Sequence, residues 1–414
     1  MKRPIAISLS PNTEKDDVVL ALKMLFSPMH WFSVNETKKL EERFAGYFGK
    51  KYKAVAVNSG RSAEYLILKA LGIGSGDEVA LQAFTCIAVA NSVIWLKARP
   101  LYVDIDKSYN LDPKDLQKKI TPHTKAVIVQ HAFGIPASYE AIKKIGKKNK
   151  LVIIEDCAVA LGAEYKKKKV GALGDISFFS FGRDKIISSV FGGMILCKDD
   201  KLYWRLKEER SKLSYPSPFW VIQQLLHPIL FSLILPTYNF GYKKLTLGKA
   251  LLFFFQKIKL LSKPVYSEEK SSNRPKIFPT KMPGALAALA VKQFDKLEKY
   301  NKHRNEIANL YFNELKKTKT SLPPKVTGAV WLRFPIVVKD KAKILAATRK
   351  AGILLGDWYK SCVYPAKDVR SAGYRIGSCP KAESAVKSVI NLPTYPTLSK
   401  ADARHIVKII KPYG

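Results

Sequence analysis

The sequence predicts an α/β protein: a large, mostly parallel sheet covered by helices on both faces, followed by a smaller α+β unit. Three observations carry this expectation. Short runs rich in Val and Ile alternate with amphipathic stretches from Lys53 to about Cys197. Those runs are almost continuously apolar, as strands buried on both faces must be. A chain of 414 residues with 47% hydrophobic and 25% charged content suits one large domain plus a small one.

The first strand is AVAVN at 54–58, followed by Gly60 and a helix whose apolar face includes Tyr65, Leu66, Leu68 and Leu71. VALQ at 79–82, a helix at 88–96 and LYVDI at 101–105 come next. AVIVQ (126–130), LVIIE (151–155), ISFFS (176–180) and GMILC (193–197) complete the series. Apolar residues Ala285, Leu286, Leu289, Phe294, Leu297 and Ile307 recur at helical spacing, predicting one long helix over 282–315. VWLRFPIVV at 330–338 and a terminal helix at 400–410 read as a small α+β domain. The predicted segments are 1–215, a hydrophobic and basic insert at 216–263, and 264–414, which opens on a polar linker at 267–276.

The insert carries FWVIQQLLHPILFSLIL at 219–235, interrupted by Gln223, Gln224, His227 and Pro228. That run falls short of the ~20 apolar residues a membrane span needs. A turn at Asn239-Phe240-Gly241 leads to ALLFFFQKIKLL at 250–261. The expectation is an amphipathic hairpin at 218–261 lying on an anionic membrane surface, with Lys243, Lys244, Lys249, Lys257 and Lys259 meeting lipid phosphates. The alternative is a hairpin packed into a dimer interface or a substrate tunnel.

Lys and Arg number 71 against 34 acidic residues, a formal net charge of +37. Such a charge draws a protein to nucleic acid, anionic membranes or phosphorylated small molecules. The lysines are scattered, with no Arg-rich arm and no helix-turn-helix or zinc-finger spacing, so nucleic acid is not expected. The five cysteines include no C-x-x-C, which argues against disulfides and a metal site. The basic N-terminus lacks a long apolar run, so the expected setting is cytoplasmic.

Three features suggest chemistry at the carboxyl ends of the strands, where parallel sheets bind ligands. Asn58-Ser59-Gly60-Arg61-Ser62 joins a strand to a helix start, where free N–H groups suit a phosphate, though a plain helix cap would read the same. Glu155-Asp156 ends a buried strand, where a carboxylate needs a partner: a pyridinium N–H, a helix cap, a ribose or a metal. Ser180-Phe181-Gly182-Arg183-Asp184-Lys185 follows ISFFS; a nearby cation and apolar neighbours would favour the neutral, nucleophilic form of Lys185.

In this order, with PLYVDID, ITPHTKAVIVQHAFGIPA, VIIEDCAVALGAEYKKKKVGALGDISFFSFGRDK and FGGMI, and INLPTYPTLSKAD near the C-terminus, the chain resembles the DegT/DnrJ/StrS family of sugar aminotransferases. The resemblance covers most of the chain outside the insert and implies the type I fold of pyridoxal 5'-phosphate enzymes. It implies that Lys185 is the Schiff-base lysine, Asp156 the partner of the pyridine nitrogen, and Ser180 with Gly60, Arg61 and Ser62 the phosphate site. It also implies an amino-acid donor, usually glutamate, a keto sugar attached to a nucleotide, and a homodimer whose two subunits share the site. Lys185 argues against the family's dehydratases, which carry His there.

Several positions depart from the family's pattern. Val159 stands where a Gln is usual, and Cys86 where an aromatic stacks on the ring, with Phe84 two residues away. Pro279 lies near the position of an Asn lent to the phosphate by the second subunit, and Arg61 replaces a Thr, where its guanidinium could take over that anion. The chain therefore reads as a divergent aminotransferase, or as an inactive, membrane-associated homologue serving as a binding or assembly subunit.

Overall fold

The computed structural model describes residues 4–242, 245–316, 318 and 320–413. Lys243 and Lys244, expected to meet lipid, lie outside the described residues.

Seven strands form the central sheet: β1 (Lys53–Val57), β2 (Glu78–Gln82), β3 (Arg99–Val103), β4 (Thr124–Gln130), β5 (Val152–Asp156), β6 (Ile176–Ser180) and β7 (Gly193–Cys197). Their order is β1-β7-β6-β5-β4-β2-β3. Only β7 runs against its neighbours, being antiparallel to both β6 and β1. Side chains alternate across a strand, and here the two faces serve separate cores. Ile128 and Ile154 join one, whereas Val127, Val129 and Ile153 join another. Burial on both faces explains why these strands read as continuous apolar runs.

Beyond the sheet, β8 (Arg333–Val337) and β9 (Val389–Pro393) pair antiparallel. With the helices Lys341–Lys350, Pro380–Ser388 and Lys400–Ile410 they form the small α+β unit.

Two sequence expectations need correction here. The single helix over 282–315 is two, Gly284–Phe294 and Leu297–Leu315. One apolar pattern serves two cores: Ala285, Leu286 and Leu289 pack in one, Ile307, Tyr311 and Leu315 in another. At the break, the Lys296 ammonium reaches Asp16 at 2.5 Å and Glu14 and Asp17 at 3.1 Å. The polar linker at 267–276 is also ordered. It includes a short 3-10 helix, Glu268–Ser271, whose Glu269 is completely buried.

The insert is a helical hairpin, Pro218–Thr237 followed by Leu247–Lys257. Ser217 caps the first helix by accepting the Trp220 N–H at 3.2 Å, with Pro218 at its first turn. This helix is long and apolar enough to cross a membrane by length and composition, yet half of its apolar window is buried against the protein. Its inner side includes Trp220, Val221, Gln224, His227 and Ile234 and packs toward the helix Lys15–Leu25. The two arms touch at Gly248, where a Cβ would lie 2.5 Å from the Ile234 carbonyl oxygen. Gln224 and His227, which interrupt the apolar run in the sequence, are therefore inward anchors.

Candidate active site

The predicted site residues come from the ends of three strands, β1, β5 and β6. Asp156 is the last residue of β5, and its backbone is in register with Gln130, the last residue of β4, and Phe178 of β6. Ser180 ends β6, and Ser59-Gly60 follow β1.

At the β1 edge, Ser59 caps the helix Gly60–Ala70 by accepting the Ser62 N–H at 3.2 Å. Ser62 Oγ donates to Asn58 Oδ1 at 2.7 Å, fixing the turn. Gly60 faces Ser180 so closely that a Cβ there would sit 2.8 Å from Ser180 Cβ and 3.2 Å from its Oγ. A helix N-terminus, a hydroxyl and a missing side chain thus form a cup of the kind that receives phosphate.

Arg61 does not complete that cup with its side chain, contrary to the sequence expectation. Its guanidinium pairs with buried Glu269, donates to the Pro264 carbonyl at 2.9 Å, and lies 4.6 Å from the Phe278 ring centroid. A carboxylate with no solvent is the stronger claim on a guanidinium, so Arg61 offers the cup only its backbone N–H.

Glu155 and Asp156 are adjacent and do different work. Glu155 points away from the site, accepting N–H groups from Gly171 (2.9 Å), Leu173 (2.8 Å) and Gly174 (2.7 Å). His131 Nδ1 accepts the Ala137 N–H, so its Nε2 carries the proton and donates to Glu155 at 3.2 Å. These bonds occupy His131 and Glu155, two of the three side chains of the His131, Glu155 and Cys157 cluster. Asp156 accepts from Ala158 N at 2.9 Å and Gln130 Nε2 at 2.8 Å, and Gln130 in turn accepts from Thr85 Oγ1 at 2.6 Å. Burial raises the Asp156 carboxyl above its ordinary range, against the Ala158 N–H, the Lys185 charge and Gln130.

The Lys185 side chain folds over Gly182, with Cγ 3.4 Å and Cε 3.9 Å from where a Cβ on that glycine would stand; Ser180 Oγ is 3.6 Å from the same point. Its loop is pinned from behind. Asn12 Nδ2 donates to the Lys185 carbonyl at 2.6 Å and the Ile186 carbonyl at 3.1 Å. Arg304, wholly buried and pulled by desolvation down to about 9, donates to Asn12 Oδ1 and the Ile186 carbonyl. On the flanks, Asp184 pairs with Arg333, whose guanidinium lies 3.5 Å from the Trp358 ring centroid. Arg183 donates to Ser262 of the insert.

Sequence reasoning missed Gln130, Thr85, Asn12 and Arg304. Gln130 was legible, being the polar tip of a strand beside Asp156. Asn12 and Arg304 carry no local signal, since they meet the lysine loop only through the fold. Phe84 is no substitute for a stacking aromatic, because it is buried among Tyr109, Phe133 and Tyr359. Half-buried Cys86 begins the helix Ile87–Ile94 near the Lys185 and Arg61 charges. Glu64, on the Gly60 helix, is a further surprise: it is 1% exposed and one oxygen lacks a partner. Burial, with the nearby Asp156 and Cys86, raises its carboxyl well above 4.5 and so favours the protonated form.

The sheet order and this edge define a type I pyridoxal-phosphate enzyme. The chain belongs to the DegT/DnrJ/EryC1/StrS aminotransferase family, which it matches over residues 13–213 and 256–411. It is thus a pyridoxal-phosphate-dependent sugar aminotransferase. It is 27% identical over 402 residues to the UDP-N-acetyl-3-dehydro-alpha-D-glucosamine 3-aminotransferase of Acidithiobacillus ferrooxidans, covering 96% of this chain and 94% of that one. GDP-perosamine synthase of Caulobacter vibrioides is 44% identical over 175 residues, 42% of this chain and 47% of that one. Among solved structures, S. venezuelae DesV in complex with a ketimine intermediate superposes with a TM-score of 0.75 at 25% identity, covering 96% of this chain and 94% of DesV.

The residues present fit the cofactor. Gly60 lets the helix start approach Ser180 Oγ, since any larger residue at position 60 would collide with Ser180, and Asp156 is a buried carboxyl whose upward shift by burial the nearby Lys185 charge opposes. When bound, pyridoxal phosphate supplies the aldehyde that takes up an amino group and a ring that spreads the charge left by a departing proton.

Proposed function

We propose that the enzyme moves an amino group from an amino acid, glutamate, to a nucleotide- or lipid-linked keto sugar for surface polysaccharide or glycolipid synthesis. The observation that carries this reading is the Lys185–Asp156–Ser180 constellation at adjacent strand ends, in a family whose relatives are named for UDP- and GDP-sugars. Lys185 Nζ would hold the cofactor's aldehyde carbon and, as a free amine, would take the proton from the donor's Cα and hand it back on the cofactor side. Asp156, oriented by Gln130 and Ala158, keeps the pyridine nitrogen protonated. Ser180 Oγ and the N–H groups of Gly60 and Arg61 hold the phosphate, on a turn that Ser62 fixes through Ser59 and Asn58 rather than by touching the anion. Asn12 and Arg304 fix the lysine backbone, so that Nζ turns about its own side chain.

The working form is a homodimer in the cytoplasm, held at the inner membrane face by the insert. The exposed row Val19, Leu22, Phe26 and Met29 supports an apolar contact with a second copy. Exposed Phe219, Leu233, Phe253 and Phe254 on the insert support the membrane contact.

The test is turnover of glutamate with a panel of keto sugars, read as 2-oxoglutarate. Wild type should show the cofactor's visible absorbance and one acceptor well above the rest. Borohydride reduction should fix the cofactor on Lys185. Lys185→Ala should lose the absorbance and about 10³-fold or more in rate. A colourless wild type that takes up no cofactor would end this reading in favour of a non-catalytic subunit.

A further inference from the structure

Where the tip of the insert meets the small α+β unit there is a cleft of about 370 Å³. Its walls include Tyr238, Asn239, Thr246 and Lys249 from the insert, and Arg349 and Lys350 from the end of the helix Lys341–Lys350. The two sides approach closely, with Asn239 Nδ2 3.8 Å from where a Cβ on Gly352 would stand. Three cations line the cleft and no carboxylate does. None of the three is in an ion pair among the described residues. Elsewhere on this surface a lysine in reach of an acid takes it, as Lys341 takes Asp357. Like charges gathered without a counter-ion repel one another, and a multivalent anion would relieve all three at once.

The rim of the cleft identifies the source of that anion. Phe240 sits between two lining residues and is 57% exposed, and Leu247, just after Thr246, is 46% exposed. Lys249 lies in the first turn of the helix Leu247–Lys257, which leaves Phe253 and Phe254 in solvent, with Ile258 just past its end, alongside Lys257 and Lys259. A free phosphate would leave those side chains in water. A phosphate at a lipid surface would bury them at the acyl boundary while its oxygens met the cations.

We propose that the cleft of Lys249, Arg349 and Lys350 is a binding site for the phosphate of an anionic membrane lipid, with Phe240, Leu247, Phe253 and Phe254 entering the bilayer beside it. This rests on the reading of the insert as a membrane-contacting element and gives it a specific headgroup site that spans two parts of the fold.

The holoenzyme is tested by flotation with phosphatidylcholine vesicles with and without phosphatidylglycerol, at low and physiological salt. Wild type should float only with phosphatidylglycerol. Arg349→Glu/Lys350→Glu should lower apparent affinity tenfold or more, while turnover of a soluble keto sugar stays unchanged and shows that the variant is folded. The charge-matched control Lys143→Glu/Lys144→Glu, on a helix of the large domain, should float like wild type. Equal loss in that control would mean diffuse attraction by net charge and overturn the site. Loss only in Phe253→Ser/Phe254→Ser, with Arg349→Glu/Lys350→Glu like wild type, would overturn the site and keep the membrane reading. Absence of flotation, with thermal stabilisation by inorganic phosphate that depends on Arg349, would assign the cleft to a free phosphate and overturn both.

Discussion

The carboxyl edge of the sheet and the hairpin insert treat their surfaces in opposite ways. At the sheet edge most polar groups are buried and answered by a named partner, down to Gln130 behind Asp156 and Arg304 behind the lysine loop. The insert leaves large apolar side chains in solvent together with lysines that have no ion pair among the described residues, and its Gln224 and His227 are buried on an inner seam against the protein. The first arrangement fixes reacting groups, as catalysis requires. The second suits adhesion to something outside the chain.

The sheet edge itself divides, and the sharpest way to break the comparison is to separate its two acids. Asp156→Asn keeps an acceptor for the Ala158 N–H but cannot hold a ring proton. It should lower turnover by about 10²–10³-fold with little change in the urea midpoint. Glu155→Leu should do the reverse, because it orphans the backbone N–H groups of Gly171, Leu173 and Gly174, two of them buried, and the His131 N–H. The expected loss is roughly 3–5 kcal/mol in urea unfolding, with normal turnover per folded molecule. If Glu155→Leu unfolds like wild type, the edge is less tightly answered than described here.

What the sequence made legible follows the same division. Strands that bury both faces announce themselves as apolar runs, so β6 and β7 fall at the positions read from ISFFS and GMILC. Lys185, Asp156 and Ser180 were legible because strand ends and their order place them together before any contact is known. Arg61 was read wrongly because its partner, Glu269, lies 208 residues away in a stretch whose composition looks like a linker. Asn12 and Arg304 were invisible for the same reason: each acts across a distance that no local pattern encodes. In the insert, composition predicted a hairpin, but which face is wet depends on Gln224 and His227 finding partners in Ser262 and Ser10.

Two buried titrating groups, one in each region, sharpen the contrast through pH. Glu64, beside the cofactor cup, keeps its proton when folded, whereas the unfolded chain releases it above about 4.5. The folded state then binds more protons, so stability falls as pH rises, by about 1.4 kcal/mol per unit until the folded group itself ionises. Glu64→Gln should raise the unfolding midpoint at neutral pH, with the gain shrinking to nothing near pH 4.5.

His227 has the opposite sign. Burial and the Arg183 charge hold its pKa well below 6.5, so below that pH the unfolded chain takes a proton that the folded chain refuses. Stability is full above 6.5 and falls as pH drops, by about 1.4 kcal/mol for the first unit below it. Between 4.5 and 6.5 the two groups offset each other in wild type. His227→Gln should therefore expose a midpoint that rises with acid, and Glu64→Gln one that falls. Parallel profiles in the two variants would show that neither group is buried as described.

The smallest expected effect asks whether the two regions are separate at all. Ser262 Oγ accepts from Arg183 and donates to Gln224 at 2.8 Å, so a chain of three side chains runs from the inner seam of the insert to a residue two positions from Lys185. Gln224→Leu would leave the Ser262 proton without an acceptor inside the protein, at a cost of about 1–2 kcal/mol. Part of that should reach the lysine loop as a two- to fivefold faster release of cofactor on dilution, about 0.5–1 kcal/mol of coupling. Leu233→Ser, on the outer face of the same helix, should change neither stability nor release. If Gln224→Leu loses stability but holds cofactor like wild type, the insert is an appendage whose contacts stop at the surface. If release quickens only in Gln224→Leu, whatever engages the outer face has a physical route to the reacting amine.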